Sequence, residues 1–117
     1  MPELSKEQRH ILEANGTEVP GSSPLLNEKR KGVYKCVRCG TILFKSETKF
    51  DSGSGWPSFT DAVKQSVLLQ PDLSHGMQRT EVRCYKCNGH LGHVFDDGPT
   101  GDRYCINGAV LDFEQTS

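Results

Sequence analysis

Five cysteines carry most of the chemistry this sequence could perform, and they fall as Cys36-x-x-Cys39, Cys84-x-x-Cys87 and a lone Cys105. Two thiolates separated by two residues reach one metal from a tight turn, and two such turns complete a tetrahedral site. Gly40 and the pair Asn88-Gly89 stand where each knuckle needs permissive backbone. Residues 40–83 lie between the pairs, so the site is a clasp that closes a loop containing strands of its own. Four sulfurs leave no open coordination position, which makes one structural Zn(II) the expected ion, with iron the weaker alternative for the same donors. Buried core thiols or a redox pair compete with this reading, but two pairs each ending near Gly favour the metal. The centre is formally a dianion. Lys35, Arg38, Arg83 and Lys86 flank the pairs, either offsetting that charge or serving as ordinary solvated cations.

Cys105 has no partner cysteine. In a strand over residues 104–107 side chains alternate, so Arg103, Cys105 and Asn107 share one face while Tyr104 and Ile106 take the core. A thiol between a guanidinium and an amide is placed to react as the thiolate; the competing fate is that of a small buried hydrophobe. His90 and His93 follow the second knuckle and so sit beside a rigid anchor, as proton donors or as hydrogen-bonded structural rings. Asp97 is close enough in sequence to orient one ring, although Asp96-Asp97-Gly98 also reads as a turn. Trp56, the sole tryptophan, lies between Gly55 and Pro57 in a stiff segment where an indole lines a pocket or packs in the core.

These side chains need elements to hold them. Ser5 and Gln8 form a capping-box pattern that opens a helix over about residues 6–15, with Ile11 and Leu12 as its apolar stripe and Gly16 as its stop. Two Pro and two Gly in residues 16–31 read as a wrapping arm, so residues 1–31 are helix and arm and residues 32–117 the zinc-stabilised β domain, one domain overall. Beyond the arm the apolar segments are short: 33–34, 41–44, 66–69, 77–84, 93–95, 104–107 and 109–113, all expected as mostly antiparallel strands.

The chain of 117 residues is 34% apolar, with 12 Gly and 6 Pro, and predicts a thin core in need of a staple. Fourteen Lys+Arg against fifteen Asp+Glu leave a formal charge of -1, so no nucleic-acid partner is expected. No apolar run exceeds three residues, which excludes a transmembrane helix and a signal-peptide apolar segment; with an odd cysteine count, a reducing, cytoplasmic setting is expected.

The succession Cys36-x-x-Cys39-Gly40, Gly55-Trp56-Pro57-Ser58-Phe59, Cys84-x-x-Cys87, His90-Leu91-Gly92-His93-Val94-Phe95, Asp97-Gly98-Pro99 and Arg103-Tyr104-Cys105-Ile106-Asn107 resembles the methionine-R-sulfoxide reductase, or MsrB, family. The resemblance runs from the N-terminal helix onward. It implies a mainly β fold of two antiparallel sheets, Mss4-like, with the four-cysteine zinc clasp far from the catalytic cysteine. It further implies that Cys105 attacks the sulfoxide sulfur, that His90, His93, Asn107, Arg103 and Asp97 position and protonate the oxygen, and that Trp56 and Phe95 bind the substrate. The sulfenic acid left on Cys105 then requires a thiol reductant such as thioredoxin or a glutathione and glutaredoxin system. Many relatives carry a resolving Cys where this chain has Ser54, so recycling is expected to differ. A monomer acting on methionine sulfoxide in peptides or proteins, in repair after oxidative stress, completes the expectation. The alternative is a zinc-stabilised binding module without catalysis.

Overall fold

The computed structural model describes residues 4–73, 76 and 78–116. Its first element, α1 (Lys6–Ala14), forms where the capping box places it: the Gln8 N–H donates to Ser5 Oγ at 3.1 Å, and Gln8 Oε1 accepts from the Ser5 N–H at 2.8 Å. Asn15 closes the helix in the left-handed region, one residue earlier than the pattern predicts. Ile11 and Leu12 are buried in the common core, so the N-terminal segment shares the core of the sheets.

Among the described residues nine strands follow: β1 (Gly32–Cys36), β2 (Ile42–Lys45), β3 (Lys49–Phe50), β4 (Ser58–Phe59), β5 (Val67–Asp72), β6 (Arg79–Cys84), β7 (His90–Gly98), β8 (Gly101–Ile106) and β9 (Leu111–Gln115). They form two antiparallel sheets, ordered β2-β1-β9 and β3-β4-β8-β7-β6-β5. The mainly β, two-sheet architecture is therefore the one expected. Individual boundaries differ. The segment expected to start at 109 begins as a 3-10 turn (Gly108–Val110) before β9, and β7 extends on both sides of residues 93–95. Met77 lies outside the described residues. Ser58–Phe59, at the end of the stiff segment around Trp56 and outside the expected strands, is a strand because both residues find partners on β8.

Between the sheets the core is aromatic. Tyr34 of β1 meets Phe59 of β4 edge-on at 5.1 Å, Phe44 of β2 stacks on Phe59 at 4.3 Å, and Tyr104 of β8 meets Phe44 at 5.7 Å. Each such pair adds about 0.5–1.5 kcal/mol to the burial of its rings. The packing fixes β8 with Tyr104 and Ile106 inward, as alternation predicts, and so sends Arg103 and Cys105 to the opposite face. Gly92 lets β7 press against β8 there; a Cβ would run into the Cys105 carbonyl.

Candidate active site and metal centre

The two cysteine pairs close the molecule where β1 and β6 end, one pair from each sheet. Their knuckles are near-duplicates. The Cys36 N–H donates to Thr41 O at 2.8 Å and the Cys84 N–H to Gly89 O at 2.9 Å, while the Gly40 and Asn88 N–H groups return to Cys36 O and Cys84 O, each at 2.8 Å. Gly40 at φ +77° and Asn88 at φ 61° adopt the left-handed backbone this turn needs. The four sulfurs all lie within 4.8 Å of one another, with Cys36 to Cys87 at 3.6 Å and Cys39 to Cys84 at 3.5 Å. A tetrahedron with metal–sulfur bonds of about 2.3 Å needs edges near 3.8 Å, so the cluster fits a Zn(II)-sized ion.

Packed this tightly, the thiols cannot all ionise without a cation. The hydrogen bond shared with Cys84, and then burial, push the Cys36 thiol far up, while the same bond holds Cys84 down to about 4. Of the four flanking cations, Arg38 donates to Cys87 O at 2.9 Å and Arg83 to Asn88 O at 2.7 Å, bracing the second knuckle. Lys35 is turned away to Glu114 at 2.6 Å, and Lys86 is exposed.

The second site is a transverse row across the larger sheet. Strand register sets Glu81 of β6 opposite His93 of β7, His93 opposite Cys105 of β8, and Cys105 opposite Ser58 of β4. Opposed residues share a face, so four side chains from four strands meet there. Since Glu81 precedes Cys84 by three positions, the row lies about 10 Å along the strand from the clasp.

Arg103 Nη1 donates to Cys105 Sγ at 2.8 Å. The guanidinium is held by both Asp97 oxygens, at 2.8 and 3.2 Å, and lies over the Phe95 ring at 4.6 Å from its centroid. This pairing lowers the Asp97 carboxyl below its ordinary range and raises Arg103 above its own. On the other side of the sulfur, Ser54 Oγ lies at 3.6 Å and Ser58 Oγ at 3.7 Å, both bonded to Ser52 Oγ, at 2.8 and 2.7 Å. A cavity of about 270 Å³ opens over Cys105, with Trp56, Phe95, His93, Arg103 and Asn107 in its walls.

The two histidines have separated roles. His93 faces the cavity, with Nε2 at 2.7 Å from Asp72 Oδ2. His90 is only 2% exposed and bonds through Nδ1 to Glu81 Oε2 at 2.6 Å; burial lowers its pKa, partly opposed by that carboxylate. Asp97 orients neither ring. A register shift between Phe95 and Gly98 aims it along β8 at Arg103, and the ring-orienting carboxylates are Glu81 and Asp72, which the sequence pattern left unmarked. Asn107, 3% exposed, has its amide engaged twice, accepting from the Glu18 N–H and donating to Leu91 O, both at 2.9 Å. Arg79 of β6 and Thr17 of the arm also line the cavity and were likewise not anticipated. A β6 strand reading exposes Arg79 as a cation in register with Asp72, but only the pairing itself brings it to the cavity.

The family model described as "SelR domain" matches residues 4–115. Among curated proteins, the peptide methionine sulfoxide reductase MsrB of Leptospira interrogans is 55% identical over 116 residues, covering 97% of this chain and 88% of that protein. The protein of the same name from Leifsonia xyli subsp. xyli is 55% identical over 116 residues, covering 96% and 84%. That of Escherichia coli K12 is 54% identical over 113 residues, covering 94% and 82%. Among solved structures, the "Yippee-like" domain of Mis18 superposes with a TM-score of 0.62 at 23% identity, covering 75% of this chain and 99% of that one, a likeness of fold. With the SelR model matched almost end to end and MsrB relatives identical at more than half of the aligned positions, the chain belongs to the MsrB family.

Proposed function

We propose that this member of a methionine sulfoxide reductase family reduces the R epimer at sulfur, free or in proteins, through a Cys105 thiolate and a sulfenic acid that an external thiol resolves. The observation that carries the reading is the floor of the cavity: Cys105 Sγ at 2.8 Å from the Arg103 guanidinium, with His93 in register beside it and Trp56 and Phe95 above. A charge-assisted hydrogen bond of that length favours sulfur as the thiolate nucleophile. A sulfoxide sulfur accepts a nucleophile when its oxygen is protonated or strongly hydrogen-bonded, and His93, which lines the cavity with Nε2 held at Asp72, is the residue assigned as its donor. Cys105 Sγ bonds to the substrate sulfur as the oxygen takes the proton. Passage of that hydroxyl to Cys105 Sγ then breaks the sulfur–oxygen bond and the new sulfur–sulfur bond, giving the thioether and a cysteine sulfenic acid, and two equivalents of thiol return the thiol, a disulfide and water. His90, buried and favoured as the neutral ring, holds the Glu81 side of the row.

Cys36, Cys39, Cys84 and Cys87 would hold one Zn(II), which cross-links the two sheets and takes no part in the reaction. Ser54 supplies a hydroxyl where a resolving thiol would stand, so glutathione, glutaredoxin or a thioredoxin-like reductant must attack Cys105 directly. A binding module without catalysis gains support from the fold likeness alone. The test is the consumption of methionine R-sulfoxide and methionine S-sulfoxide with dithiothreitol, followed on a chiral column. Loss of only the R epimer is expected; loss of both epimers, or of neither, overturns the reading.

A further inference from the structure

Glu18 is a buried carboxylate for which the proposed reaction has no use. It lies in the arm between α1 and β1, is 3% exposed, and is raised above the ordinary carboxylate range by burial against the pull of two N–H groups. Burying such a group is costly unless its hydrogen bonds do specific work. Its backbone contacts reach two residues of the cavity wall, Asn107 and Trp56, and its carboxylate the backbone just beyond Asn107. Oε2 accepts from the Gly108 N–H at 2.8 Å and Oε1 from the Ala109 N–H at 2.9 Å, the two residues that follow the end of the Cys105 strand and Asn107. The Glu18 N–H donates to Asn107 Oδ1 at 2.9 Å, and its carbonyl accepts from the Trp56 indole N–H at 3.1 Å. Nearby, the Gly21 N–H donates to Gly55 O at 2.7 Å, and Thr17 faces the cavity.

We propose that Glu18 is a positioning residue for the substrate pocket: its carboxylate pins the arm to the exit of the catalytic strand, and the pinned backbone sets the Trp56 ring and the Asn107 amide. The cavity wall is therefore built from the arm as well as from the sheet. Cys105, Arg103 and Asp97 are held by contacts among themselves, so they keep their geometry when the arm loosens. The inference rests on the proposed function for its kinetic readout only, because Trp56 is the sole tryptophan and reports the wall optically.

The experiment compares the full chain with Glu18→Ala and Glu18→Gln. In Glu18→Ala the KM for methionine R-sulfoxide should rise about tenfold, the scale of one lost charge-assisted hydrogen bond, with kcat changed less. Tryptophan emission should shift to the red and acrylamide quenching increase, while the rate of Cys105 alkylation by iodoacetamide stays at the wild-type value. Glu18→Gln, which keeps one acceptor, should fall between, and it carries the test alone if Glu18→Ala does not fold. Wild-type emission and quenching in the folded variants would overturn the proposal whether or not the chain reduces sulfoxides. An equal fall in kcat and in alkylation rate would also overturn it, by showing a general loss of structure. Absence of any sulfoxide reduction in the wild type would count against the function alone.

Discussion

At the clasp, each knuckle is held by backbone hydrogen bonds closed within six residues, from Cys36 to Thr41 and from Cys84 to Gly89. At the reactive row, Cys105 is surrounded by side chains from four other places in the chain: Arg103 on its own strand, Ser54 before β4, Ser58 on β4, and His93 on β7 with Asp72 of β5 behind it. One site is a local motif used twice; the other exists only after the sheet has formed. The difference matches the proposed division of duties among the cysteines of one chain, cross-linking for four and reaction for one.

Breaking the clasp should have the largest effect. Structural zinc in small peptides contributes about 10–16 kcal/mol apparent at neutral pH, against about 5–15 kcal/mol for the net stability of a domain. Cys84→Ser, or a strong chelator, should therefore unfold the chain, seen as lost far-UV circular dichroism together with lost metal by elemental analysis. A folded, metal-free protein would make the clasp dispensable. At the other site, Cys105→Ser should bring methionine formation down to the uncatalysed background while melting temperature and metal content stay at wild-type values. Measurable turnover by that variant would remove the thiol from the reaction.

That asymmetry also decides what the sequence discloses. The capping box of α1, each two-cysteine knuckle and the inward Tyr104 and Ile106 are visible in residue spacing, since each depends on neighbours a few positions away; that the two knuckles meet follows only from each offering half of a tetrahedral donor set. Glu81 and Asp72 are not visible, because a carboxylate on β6 or β5 reaches an imidazole on β7 only through strand register. Asp97 shows the converse. Its sequence distance to the histidines is short, yet the bulge after Phe95 turns it to Arg103. Glu18 stands 90 positions from the Gly108 N–H it accepts, and no periodicity could mark it.

The two histidines sharpen the comparison within the reactive row itself. His93→Ala should lower kcat by about 10²–10⁴, the range for a lost general acid, with little change in melting temperature. His90→Asn should act chiefly on stability, because its partner Glu81 is left in the interior with one bond fewer. The sign of the pH effect follows from burial. The folded state binds the His90 proton less tightly than the unfolded chain, whose imidazole titrates near 6.5, so stability falls as pH drops below that value and levels off below the folded pKa. Thermal melts at pH 7.5 and 5.5 should show a smaller loss in His90→Asn than in the wild type. Equal losses would place the acid sensitivity elsewhere, the thiolate cluster being the first place to look.

The smallest change concerns Ser54, the hydroxyl that the proposed function sets where a resolving thiol would stand. Ser54 Oγ lies 3.6 Å from Cys105 Sγ, so a cysteine at that position would stand beside the sulfur it has to bond at about 2.05 Å. In the wild type, one turnover without reductant should release methionine and leave Cys105 as a sulfenic acid, trapped by dimedone as an added mass on its peptide. Ser54→Cys should instead lose the dimedone adduct and gain a disulfide between the introduced thiol and Cys105, with the first turnover unchanged in rate. Thioredoxin should then reduce the variant faster than the wild type, since it attacks a disulfide. The result that would undo this account is a wild-type disulfide between Cys105 and one of the clasp cysteines, with metal released. It would mean that the two sites exchange sulfur chemistry, and that the separation of duties drawn from their geometry does not hold.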